Sequence, residues 1–367
     1  MSTKRYVFSL VLLVVVLAIA GCVKTAEPRE IPANAEPDPT ATPAPITLPQ
    51  DELAHDARLE WWYHSGHLES EIGREFGFHF VVFKADDGLG EPNYVAQLGI
   101  IDVETGEHYD LSRAEAGTRK VGGGAMTLGI ADWVYGLLPI DGSHLFVANS
   151  GEIGLSLDME ATSPVMLHNE IGWLPTEAGA TYYYSWPRQE AVGQLVIDGE
   201  TINVTGTSWF DHQWGDFFVL GKPAGWQWFA AHLDDGASLM ITEARGIDGE
   251  VADTYGTYMS PEGDVVDLKQ ESDGISVQAI DEWVNQLTGT VYPWGWTINI
   301  ESLDLNLTIT PLAGDQEMHG GLPAASTYWE GKSTVVGHQG GRAILGDAYV
   351  ELSGYTDPDP VEWMRRR

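Results

Sequence analysis

From Asp51 onward the chain alternates apolar and polar residues with a period of two, which on an extended backbone sends successive side chains to opposite faces. Leu59 to Glu69 is the clearest case: Glu60, Trp62 and His64 fall on one face, and Trp61, Tyr63 and Ser65 on the other. Glu71-Ile72-Gly73-Arg74 reads as a turn and Phe76 to Lys84 as the returning hairpin partner. Asp86-Asp87-Gly88 is a second turn, followed by a strand at Tyr94 to Glu104. Similar segments recur at Gly193–Ile197, Thr201–Trp209, Gly225–Leu233 and Ala237–Glu243, and Asp234-Asp235-Gly236 joins the last two in a tight hairpin. A third group covers Val265–Leu268, Ile275–Ile280, Gly295–Ile300, Leu303–Ile309 and Ala348–Leu352. Helical periodicity is scarce; Arg113-Ala114-Glu115-Ala116 and Asp281-Glu282-Trp283-Val284 could each begin a short helix. Short strands with turn signals about every 8–12 residues predict an all-β sandwich or barrel.

The first fifty residues follow a different pattern. Met1 to Arg5 carry two positive charges, Tyr6 to Ala18 form an apolar run, and Ile19-Ala20-Gly21-Cys22 ends it. The run is short for a spanning helix, which needs about 20 residues. The pattern predicts a signal peptide over 1–21 closing on a lipobox, with Cys22 carrying the lipid and anchoring the protein to the outer side of a bacterial cell membrane. Residues 22–50 hold seven prolines and no apolar periodicity, so they are expected to form an extended, disordered tether. The rest divides into an expected first domain at 51–238, a second at 239–358, where the strand pattern restarts, and a tail at 359–367.

Composition narrows the function classes. A formal charge of −35 repels phosphate backbones, which argues against nucleic acid as a partner. A single cysteine excludes a disulfide framework and a cysteine-based zinc site. Fourteen tryptophans set on alternating segments point to an all-β protein with an aromatic-lined interior. Gly122-Gly123-Gly124 lacks the context of a phosphate loop, and no Gly-x-Ser-x-Gly elbow supports a serine hydrolase.

Four aromatic motifs carry the candidate chemistry. They are Glu60-Trp61-Trp62-Tyr63-His64-Ser65-Gly66-His67-Leu68, Trp209-Phe210-Asp211-His212-Gln213-Trp214-Gly215, Gly225-Trp226-Gln227-Trp228-Phe229, and Tyr328-Trp329-Glu330-Gly331, with Gly346 to Tyr355 closing the last domain. Asp211 and His212 are adjacent, so on a strand they point to opposite faces, and His212 shares its face with Trp214. A histidine beside an indole can hand over a proton while ring faces stabilise a developing cation. Otherwise Asp211 caps a turn and His212 is a hydrogen-bonded barrel residue. Glu60, if it faces inward, is desolvated and becomes a proton donor; the alternative is a salt bridge to Arg58 or Arg342. Trp62, Tyr63, Trp214, Trp226 and Trp228 are the candidate substrate-lining residues, with core packing as the competing role. His64 and His67 face opposite ways on a strand, so no metal site is expected from them.

In order and spacing these motifs resemble the AttH/CrtC-like family, which includes the carotenoid 1,2-hydratases (hydroxyneurosporene synthases) and many proteins labelled secreted hydrolases. The resemblance covers about residues 55 to 356. It implies two tandem lipocalin-like β-barrel domains and no cofactor, and Glu243 joins Asp211, His212 and Glu60 as a candidate catalytic residue. Where the hydratase branch carries Tyr-x-Asp after the Asp-Gly hairpin, this chain reads Leu239-Met240-Ile241-Thr242-Glu243, so the tyrosine is missing and Glu243 is the candidate substitute. Two expectations follow. One is a hydratase, isomerase or cyclase acting on an apolar, terpenoid-like substrate. The other is a surface lipoprotein that carries a lipophilic ligand, for which an ABC-transporter system is a candidate partner.

Overall fold

A computed structural model describes residues 43–86, 91–116, 118–122, 125–138, 142–176, 179–215, 225–246, 248–319 and 327–356. Cys22, the signal peptide, most of the tether and the tail at 359–367 lie outside the described residues.

The alternating pattern folds into two antiparallel sheets. The first contains β1 (Leu59–Ser70), β2 (Glu75–Ala85), β3 (Asn93–Asp102), β4 (His108–Ala116), β5 (Thr118–Gly122), β6 (Ala125–Ile130), β7 (Trp133–Leu137), β8 (Ser143–Asn149), β9 (Gly154–Ala161), β10 (Met166–Leu167), β11 (Trp173–Thr176), β12 (Gly179–Ile197) and β13 (Glu200–Gly215). Its order is β4-β3-β2-β1-β13-β12-β9-β8-β7-β6-β5, with β10 and β11 also paired to β12. The second contains β14 (Gly225–Leu233), β15 (Ser238–Arg245), β16 (Val251–Met259), β17 (Val265–Lys269), β18 (Ile275–Val284), β19 (Val291–Ile300), β20 (Leu305–Pro311), β21 (Glu317–Met318), β22 (Tyr328–Gln339) and β23 (Arg342–Ser353). Its order is β17-β16-β15-β14-β23-β22-β20-β19-β18, with β21 paired to β22. Each sheet curls towards a barrel, as expected for tandem lipocalin-like domains.

Each sheet buries one face inside itself and lends part of the other to the neighbouring sheet. Trp62, Phe80, Tyr135, Phe146 and Phe210 fill the first barrel. Phe229, Ile241, Trp296, Leu307 and Val350 fill the second. A third layer, with Tyr63, Tyr183 and Trp209 from one sheet and Trp228, Met240 and Tyr349 from the other, lies between them. Because the side-chain period is two, β1 and β13 supply the first barrel and the shared layer from alternate residues.

β12 and β13 form the backbone of the first barrel. Asp198 (φ 52°) and Gly199 (φ 75°) are both left-handed, the geometry of a tight hairpin turn whose twist matches the strands. The register of β12 shifts between Trp186 and Gln189, at Pro187-Arg188. β9 pairs with β12 beyond this bulge, and β10 and β11 pair before it. Gly331 is also required by packing: a Cβ there would lie 1.8 Å from the Trp329 indole, which folds back over it.

Three expectations need correction. Arg113–Ala116 ends β4 and Asp281–Val284 ends β18, because cross-strand pairing overrides a local helical signal. The first sheet ends at Gly215 and the second begins at Gly225, well before residue 239, since Gly225–Leu233 pairs with β15 and β23. The tether docks before it ends: Ile46 is buried in the first core and its N–H donates to Ile171 O at 3.2 Å. A single 3-10 turn at Gln50–Glu52 then lies over the barrel, and the Gly142 N–H and Trp186 Nε1 donate to Glu52 Oε1 at 2.8 and 2.9 Å.

Candidate active site

Two polar clusters lie back to back on the two faces of β1 and β13. The register pairs Trp62 with His212 and Tyr63 with Asp211, so the Asp211–His212 dipeptide contributes one residue to each cluster.

The inner cluster centres on Glu60, which is fully buried in the first barrel. His212 Nε2 lies 3.0 Å and His55 Nδ1 2.8 Å from its Oε1, and the Lys84 ammonium lies 3.1 Å from Oε2. The His55 backbone N–H donates to both oxygens, and Lys84 also donates to the carbonyls of His55 and Ala57. Burial alone would raise the Glu60 carboxyl, but the bonds from His212 and His55 and the charge of Lys84 hold it down to about 2. Glu60 is therefore a fixed carboxylate, paired with Lys84 rather than with Arg58 or Arg342, and it is a poor proton donor. Burial pushes His212 down to about 4 against the pull of Glu60. Trp62 donates to Glu52 O at 3.2 Å, and Trp214 stacks on His55 with ring centroids 3.8 Å apart. His55, Glu60 and His212 bring three ligand-type atoms within 4.8 Å of one another. The carboxylate already accepts from an ammonium and a backbone N–H, so the group reads as a hydrogen-bonded clasp holding the N-terminal segment on the barrel.

The outer cluster lies in the layer between the sheets. Asp211 is 4% exposed. Its Oδ1 accepts from Ser185 Oγ at 2.5 Å and Trp209 Nε1 at 2.6 Å, and its Oδ2 from the Tyr183 hydroxyl at 2.5 Å. Tyr183 in turn accepts from Trp228 Nε1 at 3.2 Å, across the gap between the sheets. Burial pushes Asp211 up to about 6 in spite of its three donors. Facing it, Glu330 on β22 and Glu351 on β23 are direct cross-strand partners. The Tyr63 hydroxyl donates to Glu330 Oε2 at 2.9 Å, while Glu330 Oε1 is buried without a partner. Burial, with the nearby Glu351, drives Glu330 well above the usual carboxylate range. Burial pushes Glu351 up to about 7, opposed by a bond from Trp226 and reinforced by Asp211. Three carboxyl groups thus meet among Tyr63, Tyr183, Tyr349, Trp209, Trp226 and Trp228. Among the described residues no lysine or arginine pairs with them. A cleft of about 800 Å³ opens further along β1, β12 and β13; its wall is formed largely by polar residues, with Glu69, Glu71, Gln194, Asn203 and Lys332, and includes none of these carboxyl groups or rings.

The candidate residues therefore divide. Asp211, Tyr63, Trp226 and Trp228 meet between the sheets. His212, Glu60, Trp62 and Trp214 face the first barrel instead. Glu243 faces the second barrel, where Gln227 Nε2 donates to it at 2.7 Å and Gln227 in turn accepts from Trp296 Nε1 at 2.9 Å. The residues missed in the sequence are Glu330, Glu351, Tyr183 and Ser185. Glu330 and Glu351 lie inside motifs already singled out, and period two puts Tyr349 and Glu351 on one face. What the sequence did not carry is the pairing of β22 with β23.

With this geometry in hand, the comparisons with known proteins are specific. A family model of AttH-like proteins matches residues 39–355, and the chain belongs to that family. A crystal structure described as an AttH from Nitrosomonas europaea is 29% identical, covering 87% of this chain and 99% of that one, with a TM-score of 0.77. Kievitone hydratase from Nectria haematococca shares the fold at 16% identity, 82% and 90% coverage and a TM-score of 0.67. CghA does so at 11% identity, 82% and 89% coverage and a TM-score of 0.58. Among curated proteins no sequence match emerges.

Proposed function

We propose, with membership of the AttH-like family as the premise, that this protein is a hydratase-like enzyme. It acts on a carbon–carbon double bond of an apolar, terpenoid-like substrate held between the two sheets. The observation that carries the reading is the set of three carboxyl groups, buried Asp211 and Glu330 and half-buried Glu351, raised in pKa and set among tryptophan and tyrosine.

Hydration of an isolated double bond needs an acid, a surface that tolerates a cation, and a base for the incoming water. Glu330 serves as the acid: it shares its surroundings with Glu351, so the pair retains a proton at neutral pH, and its Oε1 is free to face a substrate. The ring faces of Trp226 and Trp228 stabilise the carbocation that protonation creates. Asp211, fixed by Ser185, Tyr183 and Trp209, accepts the proton of the attacking water. The same parts would serve an isomerase or cyclase if a carbon or a second proton loss replaced water. The structural likeness to a protein named kievitone hydratase is consistent with the chemistry, although at 16% identity it speaks to the fold alone.

The decisive test is Glu330→Gln, which keeps the shape and removes the acid, assayed against a panel of terpenoid alkenes. General acid catalysis contributes about 10²–10⁴ in rate, so turnover should fall at least a hundredfold while the melting temperature holds or rises. Unchanged turnover would sink the assignment of Glu330. A carrier reading draws on the tryptophan and tyrosine rings of the layer between the sheets, a surface suited to a lipophilic cargo. It would be favoured if native mass spectrometry showed a lipophilic ligand that leaves unchanged from wild type and Glu330→Gln alike. Either activity is proposed to operate outside the cytoplasmic membrane from a lipid on Cys22. Cys22→Ser should release the protein from the membrane fraction, and persistence there would overturn the anchor.

A further inference from the structure

Asp211 does not stop at Ser185. The His168 ring lies beyond it, with Nε2 2.9 Å from Ser185 Oγ and Nδ1 2.8 Å from Thr257 Oγ1. Thr257 Oγ1 is in turn 3.4 Å from Asp267 Oδ1. Ser185 and His168 belong to the first sheet's chain, Thr257 to β16 and Asp267 to β17, so the row crosses from one domain to the other. It begins at a carboxyl that is 4% exposed and ends at one that is only half-buried. Asp267 is fixed there by the backbone N–H groups of Asn169 and Glu170, at 2.8 and 2.7 Å.

We propose that Asp211–Ser185–His168–Thr257–Asp267 is a proton relay connecting the buried carboxyl between the sheets with solvent on the second domain. Every interior member both donates and accepts, which is what a relay requires. With Asp211 ionised, Ser185 donates to Asp211, His168 Nε2–H donates to Ser185, and Thr257 donates to His168 Nδ1. With Asp211 protonated, every bond reverses: Asp211 donates to Ser185, Ser185 to His168 Nε2, His168 Nδ1–H to Thr257, and Thr257 to Asp267.

Passage between the two states moves one proton along each link. The Asp211 O–H breaks as a new Ser185 O–H forms, and the old Ser185 O–H proton goes to His168 Nε2. The His168 Nδ1–H proton goes to Thr257 Oγ1, and the Thr257 proton to Asp267, which releases it to water. Asp211 ends as a carboxylate, and the imidazole is neutral before and after, with its proton on the other nitrogen. Burial keeps that ring neutral by holding His168 down to about 3. The groups facing the row are the Tyr183 ring, 3.9 Å from His168 between centroids, Tyr183 and Trp209 on Asp211, and Glu351 and Tyr255, the titratable groups on which the Asp211 charge acts.

In turnover the relay would export the proton that Asp211 takes from water while Glu330, having given its own to the alkene, takes one back from solvent, so that no net proton is consumed; this role rests on the hydratase reading. The path itself can be tested without any substrate. The full chain, labelled with ¹⁵N-histidine and held in detergent, is followed by nitrogen NMR from about pH 5 to about pH 8. The His168 signals are identified by their loss in His168→Gln. The expected result is an exchange of the protonated position from Nδ1 at low pH to Nε2 at high pH, with the midpoint of the Asp211 carboxyl. Asp211→Asn and Ser185→Ala should each leave His168 in one tautomer throughout. If Ser185→Ala fails to fold, Asp211→Asn, which retains the side-chain shape, decides. A wild-type His168 locked in one tautomer, an imidazolium forming in that range, or an exchange that survives in a folded variant would each overturn the relay. Loss of turnover in Glu330→Gln bears on the hydratase reading alone, so the two can fail separately.

Discussion

Glu351→Gln gives the sharpest test of the acid cluster, because it changes charge and leaves volume almost untouched. Glu351 stands at about 7 in the folded protein against an ordinary 4.5, chiefly because its half-buried carboxyl is desolvated. The unfolded chain ionises this group and hydrates it, while the folded layer either keeps the proton or buries a charge. A raised folded value means that its stabilising contribution is complete below about pH 4.5 and is lost as the pH climbs towards 7. At about 1.4 kcal/mol for each pH step of one, the loss between pH 5 and pH 8 comes to at most about 3 kcal/mol. A glutamine has no such titration and can still accept the Trp226 bond. The assay is urea unfolding at pH 5 and pH 8 of a soluble form that begins at residue 30 and keeps every described residue. Wild type should lose stability over this interval, and the Glu351→Gln protein should lose about 3 kcal/mol less, so that at pH 8 the variant is the more stable of the two. An identical pH dependence in both proteins, or a variant weaker at pH 8, would refute the idea that this carboxyl is held protonated by the fold.

The inner cluster makes opposite predictions. Lys84→Met leaves the buried Glu60 carboxylate without its ammonium and should cost about 3–5 kcal/mol, read as a drop in melting temperature. Adding Glu60→Gln should recover much of that loss, and no recovery would mean that the pair is not the source of the effect. His212→Ala removes a bond to the same carboxylate and opens a gap beside Trp62. It should lower stability by about 3 kcal/mol while turnover in the folded fraction stays within about tenfold of wild type. A stable His212→Ala protein without turnover would restore His212 to the catalytic set.

Much of this protein is legible in one dimension. Period-two alternation gives β1, β2 and β3 almost to the residue, and Asp234-Asp235-Gly236 gives the β14–β15 turn. The same periodicity sends Asp211 and His212 to opposite faces of β13, where each joins a different cluster. The four aromatic motifs mark the strands that meet at the centre of the molecule. Sequence alone does not say which face of a strand is the inside of a barrel and which is the seam between barrels, since β1 and β13 bury both faces and both are rich in aromatic residues. That choice made Glu60 a fixed carboxylate and left the proposed acid role to Glu330, which with its partner Glu351 lies more than a hundred residues further along the chain than Asp211. Their pairing depends on β22 lying beside β23 and on the second sheet turning that face towards β13. Burial, and with it the protonation state of every one of these carboxyl groups, is a property of that packing. The residues and their alternation were written in the chain, but which of them keep a proton was decided only when the two sheets closed over them.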